Sequence, residues 1–226
     1  MEIPNILLSW VLSYLAGSIP VGLIVVWIAK GVDVRRIESG RTGGTNVMRA
    51  AGWFAGLITA IFDVLKGIAS GWFVRWLVPD GNPWVLVVAA LLAVIGHNYS
   101  IMLAQKRTDG KLQLRGGAGG ATALGGAIAI WAPSLWYILP LIVAIYLFVG
   151  YASVTTMSIA VLSAILFFIR AVFYQAPWQY ILYGILAFLV VVYALRPNIK
   201  RLREGTERLT GLRAKWAKKQ TTTNSR

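Results

Sequence analysis

The feature that most limits what this chain can become is a succession of long apolar runs along almost its whole length. A segment crossing a bilayer as an α-helix needs about 20 apolar residues. Runs that read as crossings lie at 3–29, 52–78, 83–104, 133–150, 156–174 and 177–195, with a shorter one at 119–131. The stretch 119–150 is too long for a single crossing. Pro133 divides it, because proline lacks an amide hydrogen and its ring clashes with the preceding turn. The expected fold is all-α: a polytopic membrane protein of seven transmembrane helices, with a membrane domain at 1–204 and a basic tail at 205–226. Composition agrees, at 58% hydrophobic and 13% charged residues, where soluble domains hold roughly half and a quarter. The first run lacks a positive segment ahead of it and outruns a signal-peptide core, so it reads as a retained span.

Charge placement orients these spans. The chain carries 22 Lys and Arg against 8 Asp and Glu, a formal net charge of +14. Lys30, Arg35, Arg36, Arg41 and Arg49 separate the first two runs; Lys106, Arg107, Lys111 and Arg115 separate the third and fourth. Arg196, Lys200, Arg201, Arg203, Arg208, Arg213, Lys215, Lys218, Lys219 and Arg226 follow the last. Only Lys66, Arg75 and Arg170 lie elsewhere. With seven crossings the three basic segments share one face. The positive-inside rule makes that face cytoplasmic, with the N-terminus outside and the C-terminus, a tail frayed or lying on anionic lipid, in the cytoplasm. In this setting basic charge points to anionic headgroups and phosphorylated substrates rather than nucleic acid. The absence of cysteine excludes disulfides and thiolate catalysis, and a single histidine, His97, argues against a multi-His metal centre.

Three basic segments have the make-up of phosphate sites. The first, Asp33 to Arg49, mixes glycines with Ser39, Thr42, Thr45, Asn46 and arginines. Glycines let backbone amides approach an anion, hydroxyls and amides add neutral hydrogen bonds, and Arg49 adds a charge-assisted one. Thr45 or Asn46 equally suits a helix cap. The second, Lys111 to Thr122, holds a run of glycines interrupted only by Ala118, just before an apolar helix. It reads either as an anion nest or as a flexible linker with small residues for close helix packing; no GK[ST] follows, so it is not a Walker A loop. The third, Arg196 to Glu207, adds Arg196, Asn198, Arg201 and Glu207 to what could otherwise be a topological anchor. Within the spans, Asp63 and Lys66 stand three apart and can pair on one helical face, and His97 suits a hydrogen-bonded packing role. Three phosphate-friendly segments on one face, with an apolar groove behind them, suit a lipid-phosphate enzyme or a carrier or sensor of anions. Spacing alone does not choose between these.

These residues resemble, over nearly the whole chain, the bacterial PlsY family of acyl-phosphate:glycerol-3-phosphate acyltransferases. Gly17-Ser18-Ile19-Pro20 is similar to the family's opening GSIP. Asp33, Arg35, Ser39, Gly40, Gly43, Thr45, Asn46, Val47 and Arg49 match its first cytoplasmic motif, and Asp63 to Gly67 its DxxKG. Gly96-His97 matches its GH, Arg115 to Thr122 its glycine loop, Ser153 a loop serine, and Arg196 to Glu207 its closing motif. Ala118 stands where the family pattern has a lysine, Leu195 where it has a histidine, and Arg41 where it has an asparagine. The resemblance implies transfer of a fatty acyl group from acyl-phosphate to the 1-hydroxyl of glycerol 3-phosphate, giving lysophosphatidic acid. It implies no metal or other cofactor, membrane lipid and an acyl-phosphate-producing enzyme as partners, and the cytoplasmic face of the bacterial inner membrane as the location. Carried over residue by residue, the catalytic set is Ser39, Thr45, Asn46, Arg49, Ser153 and Asn198. Arg41, Gly43, Arg115, Gly116, Gly117, Gly119, Arg196, Arg201 and Glu207 form the phosphate-binding set, with Arg41 a candidate to restore the missing loop cation. No residue of the loops is an obvious general base, so a substrate phosphate is expected to accept the hydroxyl proton. Two other readings compete. One is a diverged paralogue that binds phospholipid precursors without turnover or uses another acceptor, to which Ala118 and Leu195 point. The other is a small-anion transporter, which needs deep polar residues that these spans mostly lack.

Overall fold

The computed structural model describes residues 3–79, 81–106 and 109–224, with side chains described to 217. Arg107, Arg226 and the side chains of Lys218 and Lys219, all counted above among the basic flanks, lie outside the described residues. Helices α1 (Ile3–Ser18) and α2 (Val21–Lys30) form one apolar segment interrupted at Ile19-Pro20. Proline supplies no amide there, so carbonyls of the preceding turn lose their helical partners. The short α3 (Gly44–Ala51) turns at Gly52, whose φ of 92° suits only glycine, into the long α4 (Trp53–Leu77). Helix α5 (Pro83–Asn98) starts with Pro83 in its first turn, under an Asn82 side chain that accepts from the Trp84 amide at 2.9 Å. A two-residue hairpin, β1 (Gln105–Lys106) against β2 (Leu112–Gln113), then leads to the glycine loop. Helix α6 (Gly120–Ile130) is followed by α7 (Ser134–Ala144), which widens into a π-helical turn over Ile145–Val149. The chain closes with α8 (Ala152–Tyr174), α9 (Gln179–Ala194), α10 (Arg196–Arg203) and α11 (Gly211–Asn224).

The all-helical expectation holds, but the span count is lower than the seven read from hydropathy. Among the described residues, four helices are long and apolar enough to cross a bilayer: Ile3–Lys30, Trp53–Leu77, Pro83–Leu103 and Ala152–Tyr174. A fifth is reached only if Gln179–Ala194 and Arg196–Arg203, bent by 71°, count as one span. The runs at 119–131 and 133–150 become the shorter apolar helices Gly120–Ile130 and Ser134–Val149. At 1.5 Å per residue, an 11-residue helix spans only about 16 Å. The glycine loop delays the start of the first, and the Trp131–Pro133 turn ends it early.

Helix α6 sits at the centre, with every residue except Ala121 and Ile128 buried. Its small residues are the reason. A Cβ on Gly125 would collide with the Val64 carbonyl of α4, one on Gly67 with the Thr122 carbonyl, and one on Gly126 with the Tyr183 hydroxyl. In lipid, where water-driven burial between spans is missing, such close approach is what holds helices together. Around α6 the core gathers Val87 and Val94 of α5, Ile138 and Ile142 of α7, Ile159 and Phe167 of α8, and Tyr183 of α9. The buried Tyr183 hydroxyl donates to the Ala123 carbonyl at 2.7 Å. Outward faces instead carry large apolar groups such as Trp27, Phe54, Trp72, Phe148 and Phe173. A surface so apolar suits hydrocarbon as its solvent.

The three basic residues outside the flanks each have a structural partner. Arg75 donates to the Ala129 carbonyl at 2.7 Å, at the C-terminal end of α6, and Arg170 lies 4.0 Å over the Trp131 ring. Lys66 pairs with Asp63 at 2.8 Å and donates to the carbonyls of Ile19 at 2.8 Å and Gly17 at 3.3 Å, both at the α1–α2 break. The chain leading into the tail returns to the membrane domain, and Arg213 of the tail itself joins it. The Thr210 amide donates to the Gly150 carbonyl at 2.8 Å, Tyr151 bridges Leu209, and Arg213 donates to the Val149 carbonyl at 3.1 Å. Gly150, at φ 74°, ends the π-helical turn and leaves that carbonyl open to the tail.

Removing one member of the buried pair leaves the other uncompensated, at a cost of roughly 3–5 kcal/mol. Lys66→Met is therefore expected to lower the thermal unfolding temperature in detergent sharply. The double change Asp63→Asn with Lys66→Met should recover part of the loss, since it removes the stranded carboxylate.

Candidate active site

The loops at the basic end enclose a cavity of about 700 Å³. Part of its wall is polar, with Ser39, Arg41, Thr45, Arg49, Asn198 and Arg201. Another part is apolar and comes from the helices: Trp53 and Leu57 of α4, Ile142 and Val143 of α7, Leu147 of the π-helical turn and Ile159 of α8. The compartment thus combines an anion-friendly lining with a hydrocarbon-friendly one.

The polar part is built largely from helix N-termini. Gly43, Gly44 and Thr45 bring the start of α3 to the cavity, and Gly119, Gly120 and Ala121 the start of α6. Ala152, Ser153 and Thr155 bring the start of α8, and Leu195 and Asn198 that of α10. None of the four helices has a side-chain cap hydrogen bond. The starts of α3, α6 and α8 present unpaired amides and roughly half a positive charge each, whereas α10 contributes its dipole alone, since Pro197 has no amide and the Asn198 amide is bonded to the Leu195 carbonyl; their convergence favours an anion before any side chain is considered.

Arg41 adds a fixed cation to this field. Its Nη1 donates to the Gly117 carbonyl at 2.9 Å and its Nη2 to the Ala194 carbonyl. One guanidinium therefore reaches the backbone immediately before both Ala118 and Leu195, the two positions where the family pattern has its other cations. Burial, with Arg115 and Arg201 adding like charge, pulls its pKa down to about 10. A cation held against these forces gains from an arriving anion.

The other expected site residues fall into three groups. Arg49, Arg201, Gly43, Gly119, Thr45 and Ser39 line the cavity. Asn46 also borders it, but its amide organises the loop: Nδ2 donates to the carbonyls of Val34, Ile37 and Arg41, and Oδ1 accepts from the Ser39 amide. Ser153 donates to Glu207 at 2.8 Å and Asn198 donates to it at 3.2 Å. Glu207 is thereby corrected from a phosphate ligand to an orienting acceptor, since a carboxylate repels phosphate and here receives two neutral donors.

Four further residues lie off the cavity wall. The Gly116 amide donates to the Asn98 carbonyl at 2.9 Å and the Gly117 amide to the His97 carbonyl at 3.0 Å, so neither amide is free for phosphate. Arg115 donates to the Ser39 carbonyl at 2.8 Å and ties two loops together from the outside. Arg196 lies 3.8 Å over the Tyr193 ring, away from the cavity.

Sequence reasoning also missed contributors. Asp63 and His97, taken to lie apart from the loops, reach the cavity wall. Glu38, in the left-handed region at φ 53°, pairs with Arg208, and both border the cavity. The placement of His97 near the C-terminal end of its run, on the side of the second basic segment, is the available signal; no local signal pairs Glu38 with Arg208.

Comparison with known proteins gives this geometry a family. A family model described as glycerol-3-phosphate acyltransferase matches residues 7–205. The glycerol-3-phosphate acyltransferase 2 of Moorella thermoacetica is 35% identical over 208 residues, covering 92% of this chain and 99% of the relative. The Rubrobacter xylanophilus glycerol-3-phosphate acyltransferase is 37% identical, covering 90% and 94%. Among solved structures, PlsY (YgiH), an integral membrane glycerol 3-phosphate acyltransferase in its glycerol 3-phosphate form, superposes with a TM-score of 0.77 at 29% identity, covering 91% of this chain and 96% of that one. Its lysophosphatidic acid form gives 0.74 at 28% identity, covering 92% and 96%. The chain belongs to the PlsY family of glycerol-3-phosphate acyltransferases.

Proposed function

We propose that this protein transfers a fatty acyl group from acyl-phosphate to the 1-hydroxyl of glycerol 3-phosphate, releasing lysophosphatidic acid and inorganic phosphate. The observation that carries this reading is one cavity in which four helix N-termini and the arginines Arg41, Arg49 and Arg201 adjoin an apolar wall from α4, α7 and α8. Both substrates carry phosphate, and one carries a long hydrocarbon chain. Relatives bear the acyltransferase name, and a similar structure is described with glycerol 3-phosphate and with lysophosphatidic acid.

An acyl-phosphate is an activated anhydride, so chemistry needs mainly the approach of two anions and the right orientation of a hydroxyl. The hydroxyl oxygen attacks the acyl carbon, the bond from that carbon to the phosphate oxygen breaks, and phosphate leaves. Arg41, Arg49 and Arg201, with the first-turn amides of α3 and α6, hold the phosphate groups. Ser39 and Thr45 orient substrate oxygens. Glu207 holds Ser153 and Asn198 for the same task. The departing phosphate accepts the hydroxyl proton. We further infer that Gly120–Ile130 and Ser134–Val149 both cross and complete seven spans with the N-terminus outside; a crossing by only one of the two would put the closing basic segment on the opposite side from the other two. That side is the cytoplasmic face of the bacterial inner membrane, where an acyl-phosphate-producing enzyme supplies the donor.

Purified protein should form lysophosphatidic acid from acyl-phosphate and glycerol 3-phosphate. A wild type without product, beside an active Ala118→Lys/Leu195→His variant, would instead identify a paralogue that binds precursors without turnover. Arg41→Ala should lower kcat/KM by about 10²–10³-fold, the scale of one lost oxyanion donor. Glycerol 3-phosphate at a hundred times its Kd should stabilise the wild type by about 2.7 kcal/mol in thermal unfolding, and Arg41→Ala should need far more ligand for the same shift.

A further inference from the structure

We propose that His97 presents its Nε2–H to a phosphoryl oxygen bound in the cavity, and that Lys66 fixes this tautomer from behind; the proposal rests on the cavity being a phosphate-substrate site. The His97 Nδ1 lies 3.2 Å from Lys66 Nζ and 3.5 Å from Asp63 Oδ1. An ammonium has three hydrogens to donate and no lone pair to accept with, so the shorter contact requires Nδ1 to be the acceptor. The longer contact exceeds the ordinary N–H···O range, and the same carboxylate oxygen is already 2.8 Å from Lys66. Lys66 cannot easily turn away, because Asp63 and the Ile19 carbonyl hold two of its hydrogens at 2.8 Å each, and the third is shared between His97 Nδ1 at 3.2 Å and the Gly17 carbonyl at 3.3 Å. A neutral imidazole that accepts at Nδ1 carries its proton on Nε2.

That proton points away from Asp63 and Lys66, toward the glycine loop. A Cβ at Gly117 would overlap Nε2, so this nitrogen lies directly against the glycine loop, and glycine is what lets the ring reach it. No hydrogen bond to Nε2 is present among the described residues, and His97 is part of the cavity lining. Arg41 donates to the carbonyl of the same Gly117, and the uncapped start of α6 begins two residues on, at Gly119. Guanidinium, helix amides and imidazole N–H thus meet at one end of the cavity as donors, with the Asp63 carboxylate, paired to Lys66, as the one acceptor beside them. The arrangement makes His97 a donor to an anionic oxygen rather than a base toward the acceptor hydroxyl.

His97 is the only histidine in the chain, so selective ¹⁵N-histidine labelling of an untagged protein gives one pair of ring resonances. The expected spectrum in detergent has an unprotonated Nδ1 and a protonated Nε2. Adding inorganic phosphate, glycerol 3-phosphate or a non-hydrolysable acyl phosphonate should move the Nε2–H signal. The ligand that moves it identifies whether the acceptor's phosphate or the donor's phosphoryl group is the partner. In the assay, His97→Gln, which keeps an N–H near the Nε2 position, should stay within several-fold of wild type. His97→Asn, which places its amide near Nδ1, should lose roughly a hundredfold or more, as for a lost oxyanion donor. A protonated Nδ1, an Nε2 signal that stays fixed while a ligand raises the unfolding temperature, or equal activity of the Gln and Asn variants would each overturn the proposal. If no ligand raises the unfolding temperature, the substrate-site reading falls and this one with it, a result separate from the tautomer read in the same spectrum.

Discussion

The Lys66 ammonium joins more of this structure than any other group. A charge within a membrane span is costly, and it persists only where partners replace water. Here the partners are the Asp63 carboxylate and the Gly17 and Ile19 carbonyls. Both carbonyls lie at the α1–α2 break, where the Val21 amide turns to the Ile19 carbonyl instead of to Gly17, and an unsatisfied backbone group is costly in hydrocarbon. One charged side chain therefore offsets two liabilities and ties the α1–α2 break, α4 and α5 into a unit. The next residues outward, His97 and Asn98, then receive the glycine-loop amides on their carbonyls. The geometry of the loop at the cavity follows from a contact buried well behind it.

Close helix packing performs the complementary task of aiming the helices. Small residues let α6 lie against α4 almost backbone to backbone, which fixes where its N-terminus emerges. The starts of α3, α8 and α10 come to the same cavity from other directions. Since none of these starts has a side-chain cap, the first-turn amides of α3, α6 and α8 remain available to a ligand, while α10 adds only its dipole. The arginines then reinforce a field that the backbone already creates. The acidic residues of the wall are each engaged: Glu38 by Arg208, Asp63 by Lys66, and the two oxygens of Glu207 by Ser153 and Asn198.

The departures from the family pattern acquire a physical meaning from Arg41. Ala118, on the glycine loop, and Leu195, at the entry to α10, stand where the resemblance implies a lysine and a histidine. Arg41 comes from the first loop and donates to the carbonyls just before both positions. Arginine is suited to this, because a planar guanidinium serves separate acceptors at once and keeps its charge when buried. The two losses and the one gain therefore concern the same few ångströms of space.

Much of this was legible in the sequence. Apolar runs identified a helical membrane protein, charge placement gathered the basic loops, and motif spacing singled out Ser39, Thr45, Arg49, Asn198 and Arg201, all of which line the cavity. The i, i+3 spacing gave the Asp63–Lys66 pair, because a helix repeats locally. What the sequence could not determine depends on contacts between distant segments. Hydropathy does not distinguish a full crossing from the short helix α6. Composition does not tell a free glycine amide from those of Gly116 and Gly117, which are paired to α5. Nor does it tell an arginine in a cavity from Arg196 on an aromatic ring. Residue type and spacing fixed which groups were present; only the tertiary packing decided which of them still had a hydrogen or a charge left to offer a ligand.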